Sequence, residues 1–301
     1  YIDENIQVIH LNVKKRNVCL PVIQTYLNSY DIYQAAKKYI KDYKIKINLL
    51  YSHNPIQYSL AILWISKYLK IKYIHEIHGL IYDFYNLEAQ RIGINSIINH
   101  LFMKIIKQAE KAIFNHSSML IVQTDLMKNR IIELYSINKE KIKVIYNGVD
   151  LKKFNSVDKT KQNTKKHLMY AGYLDEINGI DFLIKSFIKL KLPDVKLLIA
   201  GRGPLEKLVE TISNENDNIE YYRVISSDNI CNFYDKADIF LLTRPSTLPG
   251  ETLLPMKLLE VSALNKIILA SDMQIIREVS KEINNIFLFK SDDFESFSDC
   301  L

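Results

Sequence analysis

Short apolar runs rich in isoleucine, leucine and valine alternate along this chain with longer stretches whose apolar residues recur every three or four positions. The short runs read as strands and the longer ones as helices. In the first half, Lys46 to Tyr51 (KINLLY), Ile71 to Ile74, Ser118 to Val122 and Lys143 to Tyr146 are predicted strands. Val18 to Tyr43, Ile56 to Leu69 and Ile97 to Asn115 are predicted helices. The second half repeats the rhythm, with strands at His167 to Ala171, Val195 to Ala200, Tyr221 to Ile225, Asp238 to Thr243 and Ile267 to Ala270. Helices are predicted from about Asp181, over Asn229 to Tyr234, and after Pro255. Strand and helix in strict turn predict an α/β protein with mainly parallel sheets.

The breaks divide the chain. Asn147-Gly148-Val149-Asp150 is a turn sequence, and Lys159 to Lys166 (KTKQNTKK) is a polar approach to the second half. Two domains are expected, 1–151 and 152–301. At 301 residues and 48% apolar or aromatic content, each has enough chain for its own core.

Charge is uneven. Residues 1–151 hold 20 Lys or Arg against 12 Asp or Glu, a net +8, while residues 152–301 carry −2. A basic first half suits an acidic substrate or an anionic membrane surface, and equally a solvated lysine-rich face. The stretch 97–115 reads either as a membrane-surface helix or as a helix covering a sheet. No nucleic-acid module is recognisable. Three widely spaced cysteines, Cys19, Cys231 and Cys300, give neither a disulfide framework nor a metal-binding pair. With no signal peptide or spanning apolar run, a cytoplasmic protein is expected, at most peripheral on the inner face of the plasma membrane.

Candidate chemistry sits where strands give way to loops. His75-Glu76-Ile77-His78-Gly79 closes one predicted strand. Its histidines are three apart and extended, so it is not the helical zinc motif, and the two side chains should point to opposite faces. His78 is favoured for the site because Gly79 allows close approach, with a merely structural or surface histidine as the alternative. In the second half, Gly172 opens the loop YLDEINGI, and Gly201-Arg202-Gly203-Pro204 comes after the next strand. Arginine there suits a phosphate. Pro245 to Asp272 (PSTLPGETLLPMKLLEVSALNKIILASD) is the most informative stretch. A loop and helix start at the carboxyl end of a strand is where open α/β sheets bind ligands. Lys257 and Glu260 share a helical face, as a cleft-facing pair or an ordinary exposed one. Glu251 approaches from the preceding loop.

Taken in order, EIHG, NGVD, YAG, GRGP and the Glu251-to-Glu260 segment with ALNKIILASD behind it resemble the retaining, nucleotide-sugar-dependent glycosyltransferases of the GT-B architecture (glycosyltransferase family 4, glycosyl transferases group 1). The resemblance covers nearly the whole chain. It implies two facing Rossmann-like domains, with acceptor on the first and donor on the second. It implies a nucleoside-diphosphate sugar, UDP- or GDP-linked, as donor substrate, a saccharide or lipid-linked acceptor, and no metal or other cofactor. The setting it implies is polysaccharide or lipopolysaccharide biosynthesis. In this resemblance Glu260 grips the donor ribose, and the loop from Glu251 through Leu253 and Leu254 meets the donor sugar and phosphates. His78 faces the transferring sugar, and Gly172 precedes the diphosphate loop.

The sequence also departs from the family. Members usually carry arginine just after the Gly172 position and lysine five residues further. Here those places hold Tyr173 and Asn178, so Arg202, Arg244 or Lys257 would have to supply the charge. The spacing between Glu251 and Glu260 is one residue longer than usual, and Thr252-Leu253 replaces a glycine-rich start. The family's first strand and final helices are expected to be missing. These departures leave room for a non-catalytic nucleotide- or carbohydrate-binding relative. A nucleotide-sugar epimerase of similar form is a further alternative, and a basic interaction protein another.

Overall fold

A computed structural model describes residues 8–13, 21–53, 55–92, 97–154 and 165–301. The chain divides into two compact units, Tyr1–Tyr146 and Asn147–Leu301. This division lies a few residues before 151/152, because Phe154 and the turn leading to it already pack in the second unit. The Phe154 ring stacks on Tyr234 at 6.5 Å between centroids.

The first unit holds a parallel sheet ordered β1-β2-β3-β4, formed by Leu50–His53, Tyr73–Ile77, Met119–Val122 and Ile142–Val144. Helices α1 (Pro21–Asp42), α2 (Ile56–Leu69), α3 (Ile81–Ile92), α4 (Ile97–His116) and α5 (Asp125–Tyr135) accompany it. The expected strand at 46–51 shifts toward its carboxyl end, since pairing with β2 begins only at Leu50↔Tyr73 and continues to His53↔Glu76. α5 opens on a side-chain cap: Thr124 Oγ1 accepts from Met127 N at 3.0 Å. α4 packs through Ile106, Ala109, Ile113 and Phe114, whereas Leu101 is 59% exposed. A carboxylate, Glu110, lies in that buried stripe. It accepts from the N–H groups of Ile81 (2.8 Å) and Tyr82 (3.3 Å) and from the Tyr135 hydroxyl. It thus satisfies the opening turn of α3, the segment directly after His78-Gly79-Leu80. Burial lifts its carboxyl to about 7.

The second unit holds six parallel strands in the order β10-β9-β8-β5-β6-β7. They are β5 (Lys166–Ala171), β6 (Val195–Ala200), β7 (Ile219–Tyr222), β8 (Ile239–Leu242), β9 (Ile267–Ser271) and β10 (Ile286–Phe289). Helices α6 (Ile180–Leu190), α7 (Glu206–Glu215), α8 (Ile230–Tyr234), α9 (Leu248–Thr252), α10 (Met256–Ala263), α11 (Gln274–Val279) and α12 (Phe294–Asp299) connect and flank them. Strands buried on both faces read as continuous apolar runs such as LLIA and FLL, and Leu197, Ile199, Leu241 and Leu269 are almost wholly buried. This is the doubly wound order, whose direction reverses between β5 and β8. There the ladder is short. β5 pairs with β6 up to Ala171↔Ala200, but with β8 only at Leu168↔Ile239 and Met169↔Phe240. The carboxyl ends of β5 and β8 therefore stand apart at the reversal point.

Among the described residues no helix is long and apolar enough to cross a membrane.

Candidate functional site

Two glycine loops form the floor at the end of β5 and β6. Gly172 N donates to Ala200 O (2.8 Å), Leu174 N to Arg202 O (2.8 Å), and Leu205 N to Leu174 O (3.0 Å). A Cβ at Gly201, whose φ is +143°, would lie 1.7 Å from the Gly172 carbonyl oxygen. Only glycine permits that approach. Gly179, at φ +71°, opens α6 with its Cα directly against the Thr243 carbonyl at the end of β8. The β5 loop is thus pinned on both sides.

Arg244 comes just after β8 and reaches into this loop. Its Nε donates to Asn178 Oδ1 at 3.1 Å and its Nη1 to Leu253 O at 3.5 Å. Asn178 is itself held by the Asp175 carboxylate, at 2.8 Å from its backbone N and 2.6 Å from Nδ2. A cation just beyond β8 therefore stands beside Asn178. Lys257, in the first turn of α10, lies over Gly172. A Cβ there would come within 2.8 Å of Lys257 Cε and 3.0 Å of Nζ. Among the described residues Lys257 makes no hydrogen bond or ion pair. Burial first, then the neighbouring Arg244, holds its ammonium below the usual lysine range. Arg244, Lys257, Asn178, Tyr170 and Thr243 line a small pocket of about 30 Å³ that also takes in Pro255 and Met256. α10 begins at Pro255 without a side-chain cap, and its opening residues Pro255, Met256 and Lys257 border the same pocket.

The other residues singled out from the sequence fall around this centre. Arg202 is exposed on the β6 loop, and its carbonyl carries the contact to Leu174. Tyr173 is 58% exposed, and its carbonyl accepts from the Tyr170 hydroxyl at 2.9 Å. Leu254 is buried, and Leu253 contributes its carbonyl to Arg244. Glu260 is one helical turn beyond Lys257, yet the two form no ion pair. Glu260 Oε2 instead accepts from the Tyr234 hydroxyl at 3.0 Å. Burial, then the Glu260 charge, raises the Tyr234 phenol well above the usual range, so it stays a donor. Glu251 has both oxygens engaged: Oε1 accepts from Ser246 Oγ (2.6 Å) and Oε2 from Gln274 N (2.5 Å) at the start of α11. Asp175 and Tyr234 were not picked out from sequence. In a chain with 19 tyrosines, nothing local marks Tyr234.

In the first unit β2 turns His75 into the core, 2% exposed, where Ser52 Oγ lies 2.8 Å from its Nδ1. Burial pushes the His75 imidazole down to about 4. His78 stands on the open side at the carboxyl edge. Its Nε2 lies 3.0 Å from Glu76 Oε1, its Nδ1 meets the Gln123 amide, and its ring centroid is 4.0 Å from that of His53. Burial, then the neighbouring His53, lowers the His78 pKa, and Glu76 opposes the shift.

Comparison with known proteins agrees with this architecture. The model for Glycosyltransferase Family 4 matches residues 3–153, and that for Glycosyl transferases group 1 matches residues 165–301. The alpha-monoglucosyldiacylglycerol synthase of Streptococcus pneumoniae is 25% identical over 245 residues, covering 75% of this chain and 53% of that protein. An uncharacterized glycosyltransferase of Methanocaldococcus jannaschii is 30% identical over 190 residues, covering 60% of this chain and 46% of the relative. The chain thus spans about half the length of these curated relatives. The fold is shared with sucrose-phosphate synthase from Thermosynechococcus elongatus (TM-score 0.71, 16% identity, 99% of this chain and 76% of that one). It is shared too with Anabaena HepE solved with UDP and glucose (TM-score 0.67, 14% identity, 88% of this chain and 70% of that one). With two parallel-sheet α/β units of the GT-B kind and both halves matched by family models, the chain belongs to the family-4, group-1 glycosyltransferases.

Proposed function

We propose that the protein transfers a sugar from a nucleoside-diphosphate sugar, UDP- or GDP-linked, to a saccharide or lipid-linked acceptor during synthesis of a cell-surface glycan. The anomeric configuration is retained. One observation carries the reading: at the β5/β8 reversal point the otherwise unpaired Lys257 lies over Gly172 and shares a small pocket with Arg244, one helical turn from the oriented carboxylate of Glu260.

In this reading the diphosphate lies over Gly172 toward the first turn of α10. Lys257 and Arg244 supply the charge that Tyr173 and Asn178 lack, and exposed Arg202 adds to it from the β6 loop. Glu260 accepts hydrogen bonds from the ribose hydroxyls. The departing nucleotide gathers negative charge, which fixed cations and oriented N–H groups stabilise most in the transition state. Glu251, Leu253 and Leu254 shape the sugar end. Glu251 keeps a spare lone pair on each oxygen for a sugar hydroxyl while its existing bonds fix the loop. The donor side is the second domain, taken as 152–301, and the acceptor side the first, 1–151, where His78 faces the transferring sugar. UDP bound by Anabaena HepE and the diacylglycerol-linked product named for the pneumococcal relative support the donor and acceptor classes. The net positive first half supports a position against anionic lipid on the cytoplasmic membrane face.

Calorimetric titration of UDP, GDP and ADP, and then of their sugars, into the full chain tests the proposal. Selective binding that is lost in Glu260→Ala is the expected result. Nucleotide binding without any transfer to saccharide or glycolipid acceptors would favour a non-catalytic relative. Interconversion of the donor sugar with no acceptor consumed would favour an epimerase. Absence of binding by the folded chain would overturn the reading.

A further inference from the structure

The carboxyl ends of β1 and β2 bring together three side chains that the sequence keeps apart. We propose that His53, Glu76 and His78 form a binding site for a borderline-soft divalent transition metal, with Zn²⁺ as the reference ion. One ligand atom from each residue lies within 4.8 Å of the other two. A tetrahedral ion with bonds of about 2.0–2.1 Å to nitrogen and oxygen needs such a set, drawn slightly inward.

The local bonding favours a cation over a simple ion pair. His78 Nε2 is buried and 3.0 Å from Glu76 Oε1, yet makes no hydrogen bond of acceptable geometry. The His53 ring stands only 4.0 Å from the His78 ring, so the two imidazoles already meet at one point beside the Glu76 carboxylate.

The surrounding shell is also that of a metal site. The Tyr51 hydroxyl donates to the second oxygen of Glu76. The Gln123 amide meets His78 Nδ1. With its carbonyl oxygen turned to the ring, that amide accepts Nδ1–H and leaves the Nε2 lone pair outward. His53 is exposed, which gives the ion a route in. Three protein ligands leave a fourth position for water or a substrate oxygen. Two imidazoles among three donors select against Mg²⁺ and Ca²⁺.

Binding stands independently of the proposed reaction. Its consequence rests on that reading: a bound ion takes the His78 lone pair and stops sugar transfer. The test is competition for Zn²⁺ between the full chain and a chromophoric chelator, with Mg²⁺ as control. One Zn²⁺ per chain is expected, unaffected by millimolar Mg²⁺. Affinity should fall by at least about tenfold in His53→Ala and in Glu76→Gln, each folded by circular dichroism. No stoichiometric Zn²⁺, or equal affinity in both variants, would overturn the site. If Zn²⁺ binds as described and transfer proceeds unimpeded, the role given to His78 in transfer falls and the metal site stands.

Discussion

Lys257 lies across Gly172, its Cε and Nζ 2.8 Å and 3.0 Å from where a methyl group on that glycine would sit. Gly172→Ala should therefore swing the ammonium out of the pocket with little effect on the sheet. We expect nucleoside-diphosphate affinity to drop about tenfold, roughly 1.4 kcal/mol, while the melting temperature moves only slightly. A large fall in melting temperature would assign the glycine to packing with Tyr170 instead.

Gly201 is different, because its neighbour is main chain. A side chain there meets the Gly172 carbonyl at 1.7 Å with φ at +143°. Gly201→Ala should cost about 3 kcal/mol of stability. Denaturant unfolding of the purified variant measures it, and a loss under about 1 kcal/mol would mean the two loops separate more easily than their hydrogen bonds indicate.

Glu260 and Tyr234 act in series. Glu260→Ala should weaken UDP or GDP binding by about ten- to a hundredfold, and Tyr234→Phe by less, since only the orientation of the carboxylate is lost. A 2′-deoxynucleotide separates this from general damage. The affinity gap between ribo- and deoxynucleotide should close in Glu260→Ala. If that gap persists, the carboxylate does not hold the ribose.

Glu251 secures the α11 start through Gln274 N. Glu251→Gln keeps an acceptor for that N–H, so stability should stay within about 1 kcal/mol. Transfer should nevertheless fall tenfold or more in kcat if the negative charge meets the sugar. Unchanged kcat in a stable Glu251→Gln protein would reduce the residue to a capping group.

Glu110 predicts a pH effect confined to the first unit. Its carboxyl is raised by burial from 4.5 to about 7. The folded state thus holds the proton more tightly than the unfolded chain. The resulting stability is fully present below pH 4.5 and is lost as pH rises through about 7. Around the carboxyl stand the Tyr135 hydroxyl, Asp83 with its Arg130 partner, and Lys107 over the Tyr82 and Tyr135 rings. Unfolding followed by the single tryptophan, Trp64 in α2, reports on this unit. The stability of the protein minus that of Glu110→Gln should decline between pH 4.5 and 7. The difference isolates Glu110 from His75, which titrates in the same range with opposite sign. A flat difference would mean the carboxyl titrates as if exposed.

How much could be read from sequence depends on the range of the forces involved. Periodicity located α2 over Ile56–Leu69 and β6 over Val195–Ala200 at the observed limits, because local pattern sets both. Alternation along β2 separated buried His75 from outward His78. The start of β1 was misplaced, since its pairing partner Tyr73 decides it. The roles of Arg244 and Tyr234 depend on which loops a strand reversal brings together, and no local signal encodes that. The same holds for His53, which joins Glu76 and His78 only through the β1–β2 register. Glu110 shows the converse: the apolar stripe of α4 was legible, but the carboxylate inside it finds its partners on α3 and α5.

The early end of the β5–β8 ladder reaches beyond this one chain. The opening there is made by departing main chain, not by the trimming of side chains around it. Substitutions in the surrounding loops reshape its rim, and none is needed to create it. The seat for a ligand is therefore inherited with the strand order, while the side chains around its rim are free to change which ligand is held.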